Sequence, residues 1–210
     1  MTDGAACLLR QGIQKSSRPT PFTFQILSPV DLHTKEQPGV EKSLNEAYLK
    51  LISRGGPGDA ERWTSGQWMA ESPRDSHVPK PETVAVYSPL SIEELGELGL
   101  SQGDGLGPWV ISDYKPFSST VDANMTIVLA RTTGARGLSA FYAPLKMPPV
   151  LSFPKTEYPG HKGGPERNGV PTLRQETTVG KTPVASTQIE LDEMRGWLVR
   201  LGSNCDCFTN

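Results

Sequence analysis

Three groups of residues in this 210-residue sequence have types and spacings that bear on chemistry. Gly103, Gly105 and Gly107 alternate with single residues, as in loops that turn tightly around a phosphate. Such a loop needs a strand before it and a helix after it. Here Pro108 and the strand-like Trp109-Val110-Ile111 follow, so a hairpin turn is the better reading. Glu93, Glu94 and Glu97 gather three carboxylates, the raw material of general acid–base catalysis. Glu93 and Glu97 stand at i and i+4, however, where a helix turns both onto one solvated face. Ser118, Ser119 and Thr120 place three hydroxyls directly before an apolar strand, where they can satisfy the backbone of a turn.

Metal-ligating residue types are sparse. His33, His77 and His161 are scattered, with no ligand spacing and no neighbouring nucleophile. Cys205 and Cys207 offer two thiolates with no second pair and no histidine nearby, too few for a structural zinc site. They read as part of a frayed end. No catalytic residue and no metal ligand is assigned. Three cysteines fit a reducing compartment. A net charge of -2 gives no basic stripe for nucleic acid or an anionic membrane, so neither is expected as a partner. No apolar run approaches the roughly 20 residues that span a bilayer, and the first ten residues lack a signal peptide's basic and apolar regions. The expectation is a soluble intracellular protein, peroxisomal or cytoplasmic, without a recognisable targeting signal.

The elements that must position these residues follow from periodicity. Residues 2–10 read as a short helix, capped by Thr2 or Asp3 ahead of Ala5, Ala6, Leu8 and Leu9. Residues 11–38 give little periodic signal. Leu44, Tyr48, Leu51 and Ile52 recur on one helical face within residues 41–54, and Gly55-Gly56-Pro57-Gly58 ends that helix. Short strands are then predicted over 63–69, 83–87, 109–114, 125–131, 138–144 and 187–191, with glycine turns between them. That rhythm argues for an antiparallel barrel or sandwich. Residues 148–171, rich in Gly, Pro and charge, read as a long loop.

Three blocks, in order, carry a family resemblance. Gly66-Gln67-Trp68-Met69-Ala70-Glu71 resembles the Gly-x-x-Met-Thr-Glu strand of acyl-CoA dehydrogenases, and Asp75-Ser76-His77 stands in place of that family's Gly-Ser-Asp turn. The run from Trp109 to Ser119 resembles the family's second flavin strand, which passes through a lysine, an aromatic and a Ser/Thr. Residues 180–199 resemble the strand and the Asp-Glu-Met-Arg-Gly-Trp-Leu-Val segment that close the same domain. The branch most similar is the fungal and bacterial one related to the alkylation-response acyl-CoA dehydrogenase. The likeness covers most of residues 1–10 and 41–199.

The resemblance implies an α+β fold: a short N-terminal helical segment followed by an antiparallel β-barrel or sandwich of the acyl-CoA dehydrogenase middle-domain type. Residues 1–60 would be the remnant of the N-terminal helical domain, 61–199 the flavin-binding β-domain with its loop at 148–171, and 200–210 a disordered tail. It also implies FAD as cofactor and acyl-CoA or another acyl thioester as substrate. Met69, Ala70 and Glu71 would line the pyrimidine edge of the flavin, and Ser76 would face the pyrophosphate or the acyl-CoA. Phe117 would stack and Ser119 would approach N5, with Ser118 also among the cofactor-binding residues. The protein's part is to bind, orient and tune a cofactor that performs the redox step. Pro116, lacking an N–H, requires an edge or a bulge at its place in the strand. No glutamate matches the family's catalytic base, which belongs to a C-terminal helical domain. Two functions are therefore expected. One is an oxidoreductase that removes hydrogen across Cα and Cβ of an acyl thioester, in a fatty-acid or secondary-metabolite pathway. The other is an inactive truncated paralogue serving as a structural or assembly partner. A homo-oligomer or a longer paralogue would be the protein partner.

Overall fold

The computed structural model describes residues 2–16, 37, 39–53, 62–68, 83–97, 106–118, 120–133, 135, 137–146, 167–170, 173–176 and 186–202. These form an α+β fold. Helices α1 (Thr2–Ser16) and α2 (Val40–Ile52) come first. They are followed by strands β1 (Ser65–Trp68) and β2 (Val84–Tyr87), a short helix α3 (Ile92–Glu97), and then β3 (Trp109–Ser118), β4 (Met125–Ala130), β5 (Ser139–Pro144), β6 (Leu173–Glu176) and β7 (Ser186–Arg200). The expected order of a helical segment and then a mostly antiparallel sheet is the order observed.

The strands are arranged β1-β4-β5-β7-β3-β2, with β6 added against β7. Every pairing of named strands is antiparallel except β1 with β4. The sheet then returns on itself. Val84 of β2 makes a parallel bridge to Arg131, immediately after β4, and two backbone hydrogen bonds of 2.8 Å hold it, Ala85 N–H to Arg131 O and Arg131 N–H to Thr83 O. The result is a closed barrel, which leaves few unpaired edges to solvent.

Two apolar clusters account for the alternation along the strands. Trp68, Trp109, Ile111, Val128, Phe141 and Leu198 fill the barrel interior. Met125, Ile127, Tyr142, Trp197 and Val199 point outward and are covered by α1 and α2 through Leu9, Leu44, Ala47 and Leu51. With both faces covered, β4 and β5 are buried at every residue. Their sequences accordingly read as near-continuous apolar runs. Tyr142 stacks on Trp197 at 5.4 Å, and burial pushes the Tyr142 phenol above its ordinary range.

Helix α1 runs past the expected stop at Arg10. Gly12, which weakens the helical pattern in the sequence, is where the helix presses on the barrel: a Cβ there would meet Val199 Cγ1 at 2.8 Å. In α2 the buried stripe passes through Leu44, Ala47 and Leu51. Ile52, expected on that face, lies one position further round and is exposed. Ahead of α2, the buried Gln37 side chain accepts from Leu198 N–H at 2.8 Å and donates to Leu198 O at 3.2 Å. One amide thus satisfies both backbone groups of a barrel residue.

Strand β7 is three times the length expected for the last strand. A bulge explains the shortfall in the sequence reading. Between the pairs Asp113↔Leu191 and Ile111↔Met194, β7 spends one residue more than β3, and Glu193 takes a left-handed φ of 53°. The inward–outward alternation slips there, so the pattern breaks although the strand does not. A strap braces the bulge. The buried Asn168 side chain donates to Pro144 O and Arg195 O and accepts from Arg195 N–H. Gly169 O accepts from Asp192 N–H at 2.9 Å. Gly169 has a positive φ of 61°, and a Cβ on it would meet Met194 at 2.5 Å.

Candidate functional site

Strands β1 and β2 lie one after the other along the same edge of β4, both running parallel to it. Trp68, the last residue of β1, pairs with Val128; Val84, the first of β2, bridges Arg131. Val128 and Arg131 are three positions apart, roughly 10 Å at about 3.3 Å per residue. The chain places fifteen residues, 69–83, between the same two ends. Among the described residues, the barrel wall is therefore open between the end of β1 and the start of β2.

Strand β3 passes this opening. It pairs with β2 from Tyr87↔Trp109 to Val84↔Ser112. Beyond Ser112 it continues to Ser118 along β7 and comes into contact with β1. Just past its end, the Thr120 carbonyl lies beside Gly66, where a Cβ would meet it at 3.5 Å. The two sequence blocks singled out above, at the ends of β1 and β3, are thus neighbours in space. A turn locks this meeting point. Ala123 N–H donates to Thr120 O, and the Asn124 side chain accepts from Thr64 N–H at 3.0 Å.

Of the sequence-predicted site residues, Ser118 is the one whose side chain is described. It is fully buried, and among the described residues its hydroxyl has no hydrogen-bond partner. The expectation that hydroxyls here serve the turn backbone does not hold for it. Phe117 lies within β3. Met69, Ala70, Glu71, Ser76 and Ser119 lie outside the described residues, as do His33, His77, His161, Cys205 and Cys207. Among the described residues no cluster of His, Cys, Asp and Glu could hold a metal ion. No described helix is long and apolar enough to cross a membrane.

The bulge required by Pro116 is present. Between Lys115↔Ile189 and Ser118↔Thr187, β3 spends three residues against two on β7. The missing N–H of proline falls where the ladder is already interrupted. Thr120 adopts a φ of 58°. For a β-branched residue that conformation is strained, and strain of this kind gathers at functional segments.

The sequence reading missed a buried polar cluster at the same place. The Lys115 ammonium is fully buried and lies 3.0 Å from the buried Asp113 carboxylate. It donates to the Thr83 hydroxyl, and that hydroxyl donates to Asp113. Spacing held the clue. Trp109, Ile111, Asp113 and Lys115 are alternate residues of one strand, so the pair shares a face with two core side chains.

The carboxylates weighed for acid–base work lie elsewhere. Glu93, Glu94 and Glu97 belong to α3, which has no buried residue. Glu94 closes a capping box: Ser91 N–H donates to its carboxylate at 2.7 Å, and Glu94 N–H donates to Ser91 Oγ at 3.1 Å. Those bonds hold the Glu94 carboxyl below the ordinary glutamate range, with Arg195 adding a smaller effect. Burial pulls the Arg195 guanidinium down, and Glu94 and Glu193 partly restore it. Of the glycine series, Gly107 is described. It is a packing residue, since a Cβ would lie 1.9 Å from Gly196 O.

No protein-family model and no curated protein matches the chain. Solved structures do. Bd2924 in its apo form is 20% identical over 95% of this chain and 31% of its own, with a TM-score of 0.52. ACDH-11 of Caenorhabditis elegans in complex with C11-CoA is 21% identical over 97% of this chain and 27% of its own, with a TM-score of 0.49. A glutaryl-coenzyme A dehydrogenase bound to glutaryl-CoA is 20% identical over 58% and 27%, with a TM-score of 0.30. At such identities the likeness concerns the fold alone, and it rests on the first of these. The chain spans less than a third of the length of each.

Proposed function

We propose that this chain forms the flavin-facing barrel of an acyl-CoA dehydrogenase-like oxidoreductase, with FAD as cofactor and an acyl thioester as substrate, in fatty-acid or secondary metabolism. One observation carries the reading. The ends of β1 and β3 meet at an opening in the barrel wall, and the buried Ser118 hydroxyl there lacks a hydrogen-bond partner among the described residues. A buried hydroxyl left unpaired costs about 1–3 kcal/mol, which a polar ring edge or a carbonyl would offset. The sequence blocks that resemble flavin-binding strands end at this same place.

On this reading Met69, Ala70, Glu71, Ser76, Phe117, Ser118 and Ser119 hold the cofactor. When bound, FAD supplies the hydride acceptor. The chain's own residues bind and orient it and keep its ring beside the barrel wall. A second copy or a longer paralogue completes the acyl-CoA site.

The test is direct. Purified protein should bind FAD, turn yellow and bleach under anaerobic acyl-CoA once any required partner is supplied. Folded protein that stays colourless with excess FAD overturns the proposal and leaves an assembly role as the reading to pursue.

A further inference from the structure

We infer that Lys115, Asp113 and Thr83 are positioning residues: their buried polar cluster fixes the path of β3 from Lys115 to Ser118 beside the opening. The functional side of the inference rests on the flavin reading of residues 117–119. The structural side does not.

Position is the first argument. Thr83 directly precedes β2, and Asp113 directly follows the last β2–β3 pair, Val84↔Ser112. The cluster therefore sits where β3 leaves β2 behind. From there to Ser118 its register against β7 is interrupted by the Pro116 bulge. Side chains take over where the backbone ladder lapses. The Lys115 ammonium and the Asp113 carboxylate both engage the Thr83 hydroxyl, and the Thr83 carbonyl accepts from Arg131 N–H. The cluster thus ties β3 to β2 and, through Thr83, to the end of β4.

Cost is the second argument. The pair lies beneath Ile111 and Trp109 on the inward face of β3, and neither partner is appreciably exposed. Withdrawing two charges from water is expensive, and apolar pairs of similar volume commonly replace buried ion pairs without loss of stability. Stability is thus a poor account of these residues. What ions and hydroxyls supply, and methyl groups do not, is direction: the bonds hold at one spacing and one angle. An apolar replacement fills the space and lets the segment slide.

The test uses the full chain and the paired variant Lys115→Met with Asp113→Val, which removes both charges together. It should unfold at or above the wild-type temperature. Its amides at residues 117–120 should nonetheless exchange hydrogen at least tenfold faster than in the wild type, with residues 125–130 and 139–144 unchanged. Its affinity for FAD should fall at least tenfold, with an altered flavin absorbance envelope. Should the wild type bind no FAD, the flavin reading fails and exchange alone decides the positioning role. Wild-type exchange at 117–120 in the paired variant overturns the inference, whatever the flavin does. Faster exchange with unchanged FAD affinity and spectrum confines the cluster to the fold and overturns its part in the site. Were the paired variant to lose its fold, Thr83→Val gives the same readout, since it removes the hydroxyl that joins the charges to β2.

Discussion

The two sides of the barrel obey different rules. On one side β4, β5 and the end of β7 from Gly196 to Val199 are buried on both faces and covered outside by two helices, while the Asn168 strap braces the β7 bulge. There β5 and β7 approach so closely that a Cβ on Gly196 would lie 2.6 Å from the Tyr142 carbonyl. On the other side, where β3 passes the opening between β1 and β2, one short stretch holds a buried ion pair, an unpaired hydroxyl, a bulged proline and a threonine at positive φ. A core built for stability avoids each of these. β7 carries single departures of the same kind, Glu193 at positive φ and a buried Trp197 indole N–H without a partner among the described residues. What sets the end of β3 apart is that four fall together there, and local rules are broken chiefly where function compensates.

Substitutions can break or sharpen that contrast. The largest loss is expected for Lys115→Met alone, which strands the Asp113 carboxylate in the interior: about 3–5 kcal/mol by chemical denaturation. A loss under about 1 kcal/mol would mean that water reaches the pair and the two sides are less different than described. Gly107→Ala probes the junction where the chain enters β3 against β7. A methyl group placed against the Gly196 carbonyl should cost about 3 kcal/mol, or several degrees in melting temperature. Asn168→Ala unpairs two carbonyls and one N–H beside the β7 bulge, and a loss of about 2 kcal/mol is expected. Ser118→Ala should reverse the sign. Removing an unpartnered buried hydroxyl stabilises by up to about 1 kcal/mol in the absence of ligand, and a decrease would show that the hydroxyl is satisfied after all.

The smallest effect belongs to α3. The Glu94 carboxyl is held below its ordinary value, so its contribution favours the fold where it is ionised. That contribution is present above the ordinary glutamate value of 4.5 and is lost as pH falls through the lowered one. An NMR titration should show α3 fraying in that acid window, and Ser91→Ala should move the Glu94 titration upward.

Much of the fold was legible in the sequence, and the reason differs by element. Leu44, Tyr48 and Leu51 announce α2 because a helix is specified by its own neighbours. β4 and β5 announce themselves as apolar runs. β7 was seen only as far as Leu191, because one extra residue at the bulge reverses the alternation that betrays a strand. The fit of Gly107 against Gly196 joins positions far apart in sequence, which no local pattern reports. At the site, the ends of β1 and β3 could be picked out one at a time. Their meeting depends on barrel closure through Arg131, which periodicity does not encode. Asp113 and Lys115 were passed over because polar residues in a strand are ordinarily read as its wet face.

The opening between Trp68 and Val84 has a further consequence. Its two rims are fixed by β4 and by the Arg131 bridge. The ring β4-β5-β7-β3-β2 closes through pairings that use none of residues 69–82, so the barrel is a chassis whose closure is set by its strands alone.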